Sequence, residues 1–167
     1  MSGFHLAQIN VARALAPLDT PKLAGFVARL DEINALADRS PGFVWRLQSD
    51  SGNATDIQVS EDPQFIVNMS VWRDLDALFG YVYRSDHLQV MAQRSRWFEK
   101  MSKPFMALWW VPAGTLPNVE DGMARLAMLE HRGATPEAFT FKAPFDAQGR
   151  PLDRAALVRG REPEPCA

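Results

Sequence analysis

The sequence predicts an α+β domain whose elements run β-α-β-β-α-β around a four-stranded antiparallel sheet. Four short runs alternate in the period-two manner of half-buried strands. Two longer stretches between them carry apolar residues at three- and four-residue steps, and Gly, Pro, Ser and Asp punctuate the junctions. That order of elements is the ferredoxin-like arrangement.

The first strand spans Phe4 to Val11. His5, Ala7, Ile9 and Val11 share one face, and Phe4, Leu6, Gln8 and Asn10 share the other. Thr20-Pro21 starts a helix, because proline fits the first turn, where its missing N–H costs nothing. The helix covers Lys22 to Asp38, with Leu23, Phe26, Val27, Leu30, Ile33, Asn34 and Ala37 on one stripe, and Ser40-Pro41-Gly42 stops it. Phe43 to Ser49 is a second strand, with Phe43, Trp45 and Leu47 expected on one side. Asp50 to Asp62 is polar and turn-rich, a long loop of the kind that often serves function.

Phe65 to Trp72 forms a third strand, with Phe65, Val67, Met69 and Val71 alternating against Ile66, Asn68, Ser70 and Trp72. A helical region extends from Asp74 to about Met101, divided near Arg84-Ser85-Asp86, where Ser85 can cap a second piece. Phe105 to Val111 is a fourth strand. A C-terminal helix is expected over Val119 to His131, ended by Gly133, and then a short extended segment at Ala138 to Lys142. The domain is placed at residues 1–142. Residues 143–167, rich in Pro, Arg and Glu, are expected to be an extended or disordered tail.

A sheet with helices on one side leaves its other face bare. The strands carry large apolar residues on one face and aromatic or polar ones on the other, so the bare face must be covered. A second copy paired across a two-fold axis would do this, giving a homodimer. At 167 residues with 47% hydrophobic content, the chain has enough apolar material for one packed domain. The net charge of -2 supplies no field for nucleic acid or an anionic lipid surface, so neither partner is expected. No signal-type leader and no apolar run of membrane-spanning length is seen, and a cytoplasmic location is expected by default. One cysteine, Cys166, cannot form an internal disulfide, and no Cys/His cluster predicts a metal site.

The residues that could carry chemistry gather in the run from Tyr83 to Phe98. On a helix His87, Met91, Arg94 and Phe98 fall on one stripe. A histidine and an arginine among apolar groups either line a polar pocket or satisfy structural partners. Gln8, Asn10, Asn68 and Ser70 are polar positions in apolar strands; they either orient a ligand or hydrogen-bond across the sheet. Of the five tryptophans, Trp109 and Trp110 are adjacent on a strand and must point to opposite faces.

The run SVW.DLDALFGYVYRSDHLQVMAQRSRWFEKM, followed by LWWVPAGTLPNVEDGMARLAMLEHRGATPEAFTFK, resembles domain-of-unknown-function family 3291. The features that carry the resemblance are Ser85 to His87, Arg94 with Trp97-Phe98, the turn Trp109 to Gly114, Glu137 to Phe141 and the opening FHLAQINVARAL. The family is similar to the dimeric α+β barrel superfamily, whose members include cofactor-independent monooxygenases, haem-degrading enzymes, peroxidases and small-molecule binders. Fold alone does not choose among them.

Taken together, these observations predict a cofactor-independent monooxygenase or isomerase acting on a small aromatic or polyketide-like molecule. His87 would be the acid/base and Arg94 the stabiliser of a substrate anion. Asn10, Trp45, Asn68, Tyr83, Met91 and Phe98 would bind the substrate. The alternatives are a non-catalytic binder of a hydrophobic ligand, or of haem with His87 as axial ligand, and a structural dimer without ligand.

Overall fold

A computed structural model of the chain describes residues 3–48, 61–85 and 87–155. The long loop expected at Asp50 to Asp62 lies largely outside the described residues, as does Cys166. The elements are β1 (Phe4–Arg13), α1 (Ala24–Asp38), β2 (Phe43–Arg46), β3 (Phe65–Trp72), α2 (Leu75–Arg84), α3 (His87–Ala92), β4 (Met106–Pro112) and α4 (Val119–Arg132). The sheet is antiparallel throughout, in the order β2-β3-β1-β4. This is the predicted α+β ferredoxin-like fold, with the C-terminal helix added.

Several local departures have physical causes. A one-turn 3-10 helix at Pro21–Leu23 precedes α1. Gly42 after α1 has φ +81, and a Cβ there would lie 2.5 Å from the Ala77 Cβ, so the turn into β2 requires glycine. Between Phe43 and Trp45 the pairing of β2 with β3 shifts register. Phe43 sits opposite Trp72 and packs edge-on against its ring at 5.5 Å, whereas Trp45 is opposite Val71. Alternation expected Phe43, Trp45 and Leu47 on one face. The irregularity instead sends Trp45 and Leu47 to the other.

The helical region expected to reach Met101 is shorter and more broken. Asp74 caps α2 by accepting from the Ala77 N–H at 2.9 Å. Ser85 ends it: its hydroxyl donates to the Tyr81 carbonyl and accepts from the His87 N–H at 3.2 Å. α3 stops at Ala92, and a 3-10 turn at Arg94–Arg96 follows. Phe98 is therefore not helical; it bridges Ala14 at the end of β1.

The two sheet faces are covered by different helices. Leu6, Trp72 and Leu108 face α2 and form one core with Leu75, Leu78, Phe79 and Phe139. Ala7, Ile9, Val11, Val67, Met69, Val71 and Trp109 face the other way and pack with Leu126 and Leu129 of α4. At Gly122 a Cβ would come within 2.6 Å of Ile9 Cδ1, so α4 lies directly on the sheet. The face expected to be bare is thus covered by the chain's own α4, which removes the basis on which a second copy was expected there. Trp109 and Trp110 do point to opposite faces.

The segment expected to be extended at Ala138 to Lys142 makes a single bridge, Phe139 to Leu108, beside β4. Beyond residue 142 the chain turns back on the sheet: Trp110 Nε1 donates to the Phe145 carbonyl at 2.9 Å, and Phe145 bridges Pro151. Among the described residues, no helix is long and apolar enough to cross a membrane.

Candidate functional site

A cavity of about 200 Å³ lies between the sheet and the layer formed by α1, α2 and α3. Its floor comes from the two central strands. Antiparallel register places Gln8 opposite Ser70 and Asn10 opposite Asn68, so four polar side chains meet on the helix-facing side. Gln8 Nε2 donates to Asn68 Oδ1 at 2.8 Å and to Ser70 Oγ at 2.9 Å. Asn10 Nδ2 donates to Gln8 Oε1 at 3.0 Å and to Asn68 Oδ1 at 3.2 Å. Ser70 Oγ also accepts from Trp72 Nε1 at 2.8 Å.

The network therefore uses every N–H of the Gln8 and Asn10 side chains. Among the described residues, the capacity left over is the Asn68 amide N–H pair, the Asn10 carbonyl oxygen and the Ser70 hydroxyl proton. Of the two roles expected of these polar residues, hydrogen bonding across the sheet is present.

The break at Ser85 redirects the chain so that His87, the first residue of α3, turns inward. Its ring packs 4.8 Å from that of Tyr81, and Nδ1 lies 3.4 Å from the Val82 carbonyl oxygen. A carbonyl can only accept, so a hydrogen bond here requires the tautomer with its proton on Nδ1, in which Nε2 is the basic nitrogen. Burial lowers the His87 pKa, outweighing the opposing effect of the Val82 carbonyl, so the imidazole is neutral at pH 7. Tyr81 stacks on Trp72 at 5.0 Å, and burial raises its phenol pKa.

Arg94 stands on the 3-10 turn after α3. Its guanidinium lies 4.2 Å over the ring of Phe105, and Nη2 is buried without a hydrogen-bond partner among the described residues. Desolvation lowers its pKa, yet arginine remains a cation at any ordinary pH.

Of the residues singled out from sequence, His87, Arg94, Asn10, Asn68, Met91 and Phe98 line this one cavity. The helical stripe was not the reason, because α3 is too short to contain Arg94 or Phe98. Trp45 and Tyr83 are not brought to it. Trp45 faces α4 through the irregularity in β2. Tyr83 projects from the other side of α2 against Phe79 and Phe141, at 4.7 and 5.5 Å. Two residues along a helix is a turn of about 200°, so the tyrosine that reaches the cavity is Tyr81. Phe105, Phe26 and Ile33 also line it, and no sequence pattern set them apart from ordinary core positions. Gln8 and Ser70 were legible as polar strand positions.

A larger groove of about 470 Å³ runs between the end of α1 and α2, past Arg39, Asp76, Tyr81 and Arg84. It is an open surface feature with exposed charges of both signs, and the smaller, more enclosed cavity is the better site. Haem does not fit that cavity. Its volume is below the ~300–1,000 Å³ usual for drug-sized ligands, and a porphyrin is larger than those.

A family model described as domain of unknown function DUF3291 matches residues 5–155. The chain belongs to this family. The DUF3291 match takes in every cavity residue named above and continues past residue 142 through the segment that folds back on β4. No curated protein matches the chain. Among solved structures it is similar to SnoaB from Streptomyces nogalater, described as a cofactor-independent oxygenase. That match has 19% identity and a TM-score of 0.46, covering 68% of this chain and 98% of that one. It is also similar to PA3566 from Pseudomonas aeruginosa, at 15% identity and a TM-score of 0.45, with 69% and 98% covered. NE2512 from Nitrosomonas europaea, a protein of unknown function, matches at 16% identity and 0.43, with 70% and 97% covered.

Proposed function

We propose that the cavity is the active site of a small-molecule enzyme that needs no cofactor and works by forming a substrate anion. The observation that carries this reading is the meeting of a neutral His87 and an unpaired Arg94 in one largely apolar enclosure. A neutral imidazole with its lone pair on Nε2 is a general base near pH 7. It removes a proton from a phenol or from carbon beside a carbonyl, and Arg94 stabilises the resulting phenolate or enolate. The free Asn68 N–H groups and the Asn10 carbonyl orient the substrate's oxygen substituents.

The anion then has two fates. In an isomerase the proton returns to a different carbon. In a monooxygenase the anion passes one electron to dioxygen, and the two radicals join in a C–O bond. The His87 imidazolium returns its proton to the peroxide, and loss of water from the hydroperoxide leaves a carbonyl. A cavity of 200 Å³ is a little larger than the ~150 Å³ that accepts benzene. The substrate is therefore a substituted single ring or a compact enolisable molecule, and a fused polyketide would have to extend outside.

The test is oxygen uptake and product formation with small phenols and 1,3-dicarbonyl compounds, comparing wild type with His87→Ala. Turnover should fall about 10²- to 10⁴-fold while substrate affinity is retained. Unchanged turnover would remove His87 from the mechanism. Binding without turnover in the wild type would instead support a hydrophobic-ligand carrier.

A further inference from the structure

We infer that the molecule this cavity takes already carries a carboxylate, which docks on the free edge of the Arg94 guanidinium. The inference rests on the cavity being a ligand site and adds the ligand's charge and shape.

The charge follows from the walls. Among the described residues, Arg94 is the one arginine or lysine lining the cavity, and no Asp or Glu joins it there. His87 and Tyr81 are neutral, the first because burial lowers its pKa and the second because burial raises it. The remaining lining is apolar, amide or the Ser70 hydroxyl, with Phe26, Ile33, Leu78, Met91 and Met106 among it. A buried guanidinium N–H with no acceptor is destabilising unless something supplies one. Nη2 is in that state. An anionic ligand relieves it.

The shape follows from the guanidinium itself. Its carbon lies 4.2 Å from the centroid of the Phe105 ring, and the N–H donors of a guanidinium all lie in its own plane, so strong contacts come from that plane. In-plane N–H pairs match the two oxygens of a carboxylate, which is planar and accepts in parallel. A lysine would offer only a point charge. The volume of 200 Å³ leaves room for one substituted ring beside that group. An acidic hydroxyl or enol on the neighbouring carbon would put the developing anion beside the same cation, so anchoring and anion stabilisation do not compete. The ligand class is thus a monocyclic or similarly compact carboxylate.

Calorimetric titration with sodium benzoate, sodium salicylate and benzamide tests this. Benzamide keeps the ring and the planar group but not the charge. Wild type should bind benzoate or salicylate roughly tenfold or more tightly than benzamide. In Arg94→Gln that preference should vanish, with carboxylate affinity falling more than benzamide affinity, and Arg94→Lys should restore only part of it. Circular dichroism on each variant checks that it is folded, and Phe105→Ala, which leaves the cation in place, should keep the preference for charge.

Equal binding of benzoate and benzamide by the wild type overturns the inference, as does a preference that survives Arg94→Gln. Failure of all three to bind also overturns it. The two proposals fail separately. Turnover of neutral phenols without any preference for carboxylates would sink this inference and leave the enzyme reading intact. A strong carboxylate preference with no turnover of any substrate would do the reverse.

Discussion

His87 is a residue whose environment sets both its chemistry and a cost. Its neutral form is favoured by burial, so its pKa in the fold lies below the ordinary histidine value of about 6.5. The unfolded chain then binds the proton more readily than the folded one. Stability contributed by this residue is complete above the unfolded value and is lost as pH falls below it toward the folded value. Urea midpoints at about pH 7.5 and 5.5 should therefore differ more for wild type than for His87→Gln, which has no proton to take up. An equal difference in the two proteins would mean that burial does not govern His87. Gln8 is the corresponding polar centre of the floor, buried to 4% exposure and bonded to three side chains. Gln8→Leu should cost about 1–3 kcal/mol in denaturant unfolding, because Asn10 and Asn68 lose a partner in a half-buried site.

At the scale of elements, the strands were legible where alternation was undisturbed. β3 occupies the predicted Phe65 to Trp72, and β1 runs two residues past its expected end. In β2 a single irregularity inverted the expected placement of Trp45, since a strand's period of two turns any one-residue shift into a change of face. The helices show the complementary limit. α4 has a legible start: Asn118 accepts from the Asp121 N–H at 2.8 Å, and Asp121 returns a bond to the Asn118 N–H at 3.1 Å. Asn118→Ala should destabilise the fold by ~0.5–2 kcal/mol in a denaturant titration. Which surface α4 covers was not legible, because an apolar stripe does not name its partner. Gly122 shows that the contact is close. Gly122→Leu should cost about 1–3 kcal/mol by pushing α4 off Ile9 and Met69. A midpoint unchanged by that substitution would mean that α4 does not rest on the sheet.

For the whole molecule, the sheet is the middle layer, with α1, α2 and α3 on one side and α4 on the other. The two sides serve different ends. The α4 side is a closed apolar core, and the opposite side is split between core and cavity. Trp109 is central to the closed side, at 1% exposure, with Arg125 5.8 Å over its ring. Trp109→Ala should cost ~3–5 kcal/mol, a large part of the roughly 5–15 kcal/mol that holds a domain of this size together. Thermal unfolding by circular dichroism measures it. Cavity ligands should still bind to whatever fraction remains folded, because the tryptophan lies across the sheet from them.

The sequence by itself determined the order of elements, the antiparallel ferredoxin-like sheet, the break at Ser85 and the polar positions Gln8, Asn10, Asn68 and Ser70. The elements, the break and the polar positions follow from local periodicity and turn chemistry, which need only neighbours along the chain. The sheet is inferred from the order of the elements. Tertiary structure alone decided that His87, Arg94 and Phe98 reach one enclosure although they do not share a helix. It also decided that Tyr81 and not Tyr83 lines that enclosure, that Trp45 belongs to the opposite face, and that α4 closes the face expected to be bare. These depend on register, on where a helix stops and on which surface is left free when the layers stack. Those quantities are fixed by contacts between residues far apart in sequence.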